Sequence, residues 1–507
     1  MSAPSIQSSQ TMASYARRLG QFRKPGMEIV IDNHEDHKVY TTFDAINGRV
    51  EITAPQTTRF DEIQIHFEGL TRTYVDSVSP ASAKSRTTAS HNFLRLVMPI
   101  RESEYPQPRI AEAGQTYTYP FNFVIPNQLL PTSCSHEREE DHVQQAHLQL
   151  PPSVGDFEVS GKDDMAPQMM RTTYSVRVQV VRFRETDGKK TVISEVLKKI
   201  RVIPASSEAP PMSISLDDHE YTMSKTKSLK KGVFSGKLGK ITMSAAQTAP
   251  FFLPPPSATG TPATTMATVD LRFDPNDASS QPPRLGGLTS KLKVLSFFSV
   301  RPVRSIASRT MMSTDYQPTR GMFNTRVPLS SRCVENVSWK RHEPKHAFQR
   351  RGSDSSTSSS EWSDSTATSP KNEAKLYYTA TIIVPLSLPM SKEWLPTFHT
   401  CIASRVYALE FGLVVHTPGA GMPASQIGLR LPVQIAALGE KDAPAALTPS
   451  EAAAELAQAD EFLRPRVIEV PSEEHIGNSI LPGVPELPPS YEDFSELLPQ
   501  RTVASRS

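Results

Sequence analysis

Cysteine is scarce in this chain. Cys134, Cys333 and Cys401 are the three in 507 residues, odd in number and widely spaced. That excludes a disulfide framework and a CxxC metal knuckle, and it fits a reducing compartment. Long apolar runs are missing too. A membrane span needs about 20 such residues, whereas Thr381-Ile382-Ile383-Val384-Pro385-Leu386 has only the length of a strand. The first residues lack the apolar core of a secretory signal; Arg17, Arg18, Arg23 and Lys24 make 1–26 read as a disordered basic arm. Apolar residues are also few, at 37% against roughly 45–50% (glycine included) for globular chains. With 44 prolines and a mean hydropathy of -0.37, ordered domains diluted by polar stretches are expected.

Catalytic signatures are missing as well: there is no GxSxG elbow, P-loop or GxGxxG. His34-Glu35-Asp36-His37 is not HExxH and falls in an expected turn. The run Cys134, His136, His142, His147 lacks the usual zinc spacing. Cys401 reads as a packed thiol in a strand. Neither an enzyme, a metal nor a cofactor is expected.

What is present is β pattern. In "EIQIHFEGL", Ile63, Ile65 and Phe67 alternate with Gln64, His66 and Glu68, the mark of a half-buried strand. "YTYPFNFVIP" puts Tyr117, Tyr119, Phe121, Phe123 and Ile125 on one face, and "YSVRVQVVRF" does so with Tyr174, Val176, Val178 and Val180. Asp187-Gly188 marks a turn. Such strands between Gly, Pro and Asn/Asp turns predict an all-β antiparallel sandwich over 27–205. Residues 206–214 read as a linker. A second β region, 215–436, carries "KLKVLSFF", "LYYTATIIVPLSL", "RVYALEFGLVV" and "IGLRLPVQI". Strands flank a Ser/Thr tract at 351–372 that cannot bury a core, so it is expected as a disordered insertion. Residues 437–507 read as a disordered tail, with one short helix (448–463) opened by the capping box Thr448-Pro449-Ser450-Glu451.

"YTYPFNFVIPNQLLPTSCSH" followed by "AHLQLPPSVG" resembles the N-terminal domain of fungal arrestin-like proteins, the alpha-arrestins or arrestin-related trafficking adaptors. "FHTCIASRVYALEFGLVV" followed by "LRLPVQI" resembles the closing strands of their C-terminal domain. The resemblance covers roughly residues 27–436. It implies two tandem arrestin-type (immunoglobulin-like) β-sandwiches and a trafficking role, although fold alone does not fix function.

Near the end stands "ELPPSYEDF". Pro488-Pro489 favours a polyproline helix even when free, and WW domains read such a helix with aromatic grooves. Pro488, Pro489, Ser490 and Tyr491 form a PPxY ligand, whose tyrosine fills a second pocket. Relatives of the resembled family carry such tails to recruit WW-domain HECT-type ubiquitin ligases. The implied function is a cytoplasmic adaptor, recruited to plasma membrane and endosomes, that brings a ligase to transporters or receptors for ubiquitination and endocytosis. The alternative is an arrestin-like scaffold in ambient-pH or receptor signalling.

Charge is uneven although its net is +2. Residues 221–240 hold Lys225, Lys227, Lys230, Lys231, Lys237 and Lys240 with no acid, and these are candidate ubiquitin acceptors. Residues 281–351 hold fourteen Lys/Arg against three acids. There Lys291, Lys293, Arg301 and Arg304 are a candidate surface for anionic lipid or for cytosolic segments of a transporter. Nucleic acid is not expected, because aromatics are not interleaved. Ser353 and Ser358 sit in kinase-like contexts, where phosphate would offset the basic stretch.

Overall fold

The computed structural model describes residues 26–76, 86–215, 218–232, 236–258, 260–309, 319–343, 376–417 and 424–440. The arm before residue 26, the Ser/Thr insertion with Ser353 and Ser358, the helix expected at 448–463 and the PPSY segment lie outside the described residues.

The N-terminal sandwich has two layers. One is β1 (Gly26–Ile31), β3 (Ala45–Thr53) and β8 (Thr116–Val124), ordered β1-β3-β8. The other contains β2 (Val39–Tyr40), β10 (Lys190–Val202), β9 (Met170–Phe183), β5 (Glu62–Asp76) and β6 (Arg86–Met98), in that order. β4 (Thr58–Arg59) and β7 (Ile110–Ala111) pair separately. The alternating residues of the sequence meet between the layers: Tyr119, Phe121 and Phe123 from β8 with Ile63, Ile65 and Phe67 from β5 and Tyr174, Val176 and Val178 from β9. Phe67 lies 5.9 Å from both Phe123 and Tyr174, and Phe93 meets Tyr174 edge-on at 5.5 Å. Tyr174 is fully buried, and its hydroxyl donates to the Pro151 carbonyl at 2.6 Å. That bond satisfies a polar tip inside an apolar core and ties the "LPPSVG" loop to the sheet.

The expected turns are present. Asp187-Gly188 closes the β9–β10 hairpin, with Gly188 at φ 63° and its N–H donating to Arg184 at 2.8 Å. His34 to His37 lie between β1 and β2.

The second sandwich has one layer of β11 (Ser224–Lys230), β12 (Lys237–Ala245), β14 (Thr264–Pro275), β18 (Tyr377–Ser387) and β17 (Lys340–His342), in that order. The other runs β16 (Arg320–Cys333), β15 (Arg284–Ser299), β20 (Ala403–His416), with β19 (Phe398–His399) and β21 (Ser425–Val433) both pairing β20. β13 (Phe251–Leu253) lies parallel to β22 (Ile435–Ala437), which carries this domain just past residue 436. The segment read as a linker is pinned to this domain. Ser206 N–H donates to Ala437 O at 3.0 Å, and Gln434 exchanges two bonds with the Ala209 backbone.

Candidate functional site

The two sandwiches meet along a seam whose residues come from few elements. Thr400 makes the turn between β19 and β20: its hydroxyl takes the Ala403 N–H at 3.0 Å, and its own N–H donates to Ala403 O at 2.8 Å. The turn pushes Cys401 and Ile402 into the N-terminal core, while Met165 of the N-terminal side packs in the C-terminal core. Between them Val75, Val154, Met170, Phe298, Leu395, Phe398 and Ala403 form an apolar cluster shared by both.

Polar groups fasten the seam around it. Arg405 on β20 is fully buried; its Nη1 donates to Asp164 O at 2.6 Å, and its Nε and Nη2 donate to Ser296 Oγ at 3.2 and 3.1 Å. Asp164 is itself held by Gly155 N–H at 2.6 Å and Ala166 N–H at 3.0 Å. Thr73 donates to Ser299 O at 2.6 Å, Lys392 pairs with Asp163 at 2.7 Å, and Arg201 pairs with Glu393. Lys392, with the Met165 N–H, holds the Asp163 carboxyl below its ordinary range.

At the same seam a Cys/His cluster assembles. A 3₁₀ turn, Pro131–Ser133, delivers Cys134 and then His136. The short helix α1 (Asp141–His147) buries Val143 and His147 and turns its last residue back onto Cys134. Cys401 arrives from the Thr400 turn. The ligand-type atoms of Cys134, His136, His147 and Cys401 all lie within 4.8 Å of one another. Cys134 Sγ is 3.4 Å from His136 Nε2 and 3.6 Å from His147 Nδ1. His136 Nδ1 faces the Glu137 carbonyl at 2.8 Å. Burial, then His136, His399, His91 and Arg138, bring His147 down to about 3. Burial, reinforced by Cys134, pushes the Cys401 thiol up to about 12.

This corrects the sequence reading in two ways. His142 leaves the group, since it is exposed and pairs with Glu140 at 2.9 Å. Cys401 joins it, because it occupies a turn rather than the middle of a strand. Nothing in the linear spacing couples Cys401 to residues more than 250 positions earlier. The hint was local: "TSCSH" and "FHTCIAS" each set a cysteine beside histidine, and both fall in the family-like stretches.

The basic surface of the sequence is only partly a surface. Lys291, Arg301 and Arg304 are exposed, but Arg304 pairs with Glu137 at 2.7 Å. Lys293 is 4% exposed and leaves the patch. Its β15 face lies under the segment that carries Glu220 and Tyr221, and burial first, then Arg430 and Arg309, lowers its ammonium. Arg284 and Arg326 are paired with Glu335 and Glu410. The lysines of 221–240 do converge. They lie on the β11–β12 hairpin, with Lys225, Lys230, Lys231, Lys237 and Lys240 exposed and Lys227 half-buried against Gln426 O. Because β11 is the edge of its sheet, charges there also discourage strand addition.

Residues 27–202 match the family model described as Arrestin (or S-antigen), N-terminal domain. The N-terminal sandwich is arrestin-like. No curated protein matches the chain. Among the described residues no helix is long and apolar enough to cross a membrane.

Proposed function

We propose that the chain is a non-enzymatic arrestin-like adaptor. It recruits a WW-domain HECT-type ubiquitin ligase to plasma-membrane transporters or receptors and so promotes their ubiquitination and endocytosis. The observation that carries the reading is the arrestin match over 27–202 in a chain that also holds a second sandwich and Pro488-Pro489-Ser490-Tyr491. Adaptors act through effective concentration: a tethered ligase meets lysines it would otherwise rarely encounter. The exposed lysines of the β11–β12 hairpin are available to the same ligase. Lys291 and Arg301 remain as the candidate contact to anionic lipid or to a transporter's cytosolic segment.

The test is titration of the full chain with WW domains of HECT-type ligases. Binding near micromolar, about 8 kcal/mol, is expected, and Tyr491→Ala abolishes it without changing the melting temperature. Undiminished binding by the variant overturns the motif assignment. Absence of binding by the unaltered chain overturns the ligase-adaptor reading and favours the signalling scaffold.

A further inference from the structure

The Cys/His cluster has the composition and the spacing of a metal site. In a tetrahedral zinc centre with Zn–S near 2.3 Å and Zn–N near 2.0–2.1 Å, ligand atoms stand about 3.6 Å apart across an S···N edge and about 3.8 Å across S···S. The two S···N separations from Cys134, 3.4 and 3.6 Å, lie close to that edge length. Four donor side chains from two turns and a helix end converge within 4.8 Å, and three of them, Cys134, His147 and Cys401, are at most 3% exposed.

The surroundings favour a cation held by thiolates. His136 Nδ1 faces a backbone carbonyl, so the proton sits there and the Nε2 lone pair points at Cys134. A metal-ligating histidine is fixed in this way. The nearest acidic side chain in sequence, Glu137, is turned away onto Arg304. Arg138 Nη1 donates to the carbonyls of Cys134 and His136, which holds the loop in its bend. The Cys401 thiol is weakly held by the protein itself. Cys401 Sγ reaches Ser133 O only at 3.9 Å. Two thiolates and two neutral imidazoles would balance a divalent ion to net zero, and sulfur with imidazole selects zinc over hard cations such as magnesium or calcium.

We propose that Cys134, His136, His147 and Cys401 bind one zinc ion, which clamps the two sandwiches together. The N-terminal sandwich supplies three ligands from its β8–β9 crossover, and the C-terminal sandwich supplies the fourth from the β19–β20 turn. The site is closed, with four protein ligands and no open position, so its role is structural rather than catalytic. Loss of the ion to a chelator frees Cys401 and loosens the seam.

The test uses the full chain, purified under reducing conditions. Zinc is counted by elemental analysis, and cobalt(II) is then substituted for it. The expected result is about one zinc per chain, with cobalt giving the visible bands of a tetrahedral centre and a thiolate-to-cobalt charge-transfer band. Cys401→Ser weakens metal binding at least tenfold, as loss of a ligand should, while Cys333→Ser, which alters the exposed cysteine, leaves it unchanged. A chelator lowers the melting temperature of the unaltered chain but not of Cys401→Ser. Three results overturn the proposal: no zinc and no tetrahedral cobalt spectrum in the reduced unaltered chain, a Cys134–Cys401 disulfide in that chain, or full metal content in Cys401→Ser. The cobalt spectrum needs no variant, so misfolding of Cys401→Ser leaves the proposal open to refutation.

Discussion

His66 points away from the core face of β5, yet it is 2% exposed. Burial first, and then Arg95 and Lys190, bring its imidazole down to about 4 from an ordinary 6.5. A group whose folded value is depressed gives its full stability above the unfolded value and loses it as pH falls toward the folded one. Stability should therefore decline from pH 6.5 toward 4, with His66 contributing about 2–3 kcal/mol of the loss. Urea denaturation at pH 7 and pH 5 checks this. His66→Gln should lose distinctly less between the two than the unaltered chain, and equal losses would refute the assignment. His66 also shows a limit of alternation. The sequence places it on a wet face, but Arg95 from β6 lies across it with Nη2 3.0 Å from Nε2. Lys293 fails to reach solvent for the same kind of reason: a distant segment covers its face. Periodicity assigns a residue to a face and is silent about what later covers that face.

Among the elements, those with clean alternation were legible. β5, β8 and β9 stand where the pattern put them, and Asp187-Gly188 closes the hairpin it predicts. β14 was equally patterned, burying Ala267, Val269, Leu271 and Phe273 in alternation, but its neighbouring prolines concealed it. β15 is a long buried run with both faces covered, so period two fades there. The "LPPSVG" loop is set by geometry that a sequence shows only as a glycine. Gly155 adopts φ 70°, and a Cβ there would stand 2.6 Å from Met170 O while its N–H holds Asp164. Gly155→Ala should cost about 1–3 kcal/mol in backbone strain and crowding, read as a lowered melting temperature. An unshifted transition would mean that the loop does not constrain the seam.

Taken as a whole, two sandwiches were legible, while their mutual insertion was not. Cys401 and Ile402 enter one core and Met165 the other, and such long-range pairing leaves no local signature. The seam should make the sandwiches unfold together. Arg405→Ala leaves Asp164 O and Ser296 Oγ without their donors and opens a cavity, a loss of about 3–5 kcal/mol. Urea unfolding of the unaltered chain should show one transition, and Arg405→Ala should split it or move it sharply to lower denaturant. An unmoved single transition would deny Arg405 this role. The PPSY segment lies outside the described residues, and its reading as a polyproline ligand rests on its sequence alone.

The most direct measurement of the adaptor account is ubiquitin transfer by a WW-domain HECT-type ligase onto a membrane-anchored transporter segment, with the full chain added. The account predicts that the unaltered chain accelerates transfer and that Tyr491→Ala returns the rate to that of ligase alone. Equal rates with the unaltered and the altered chain would contradict it.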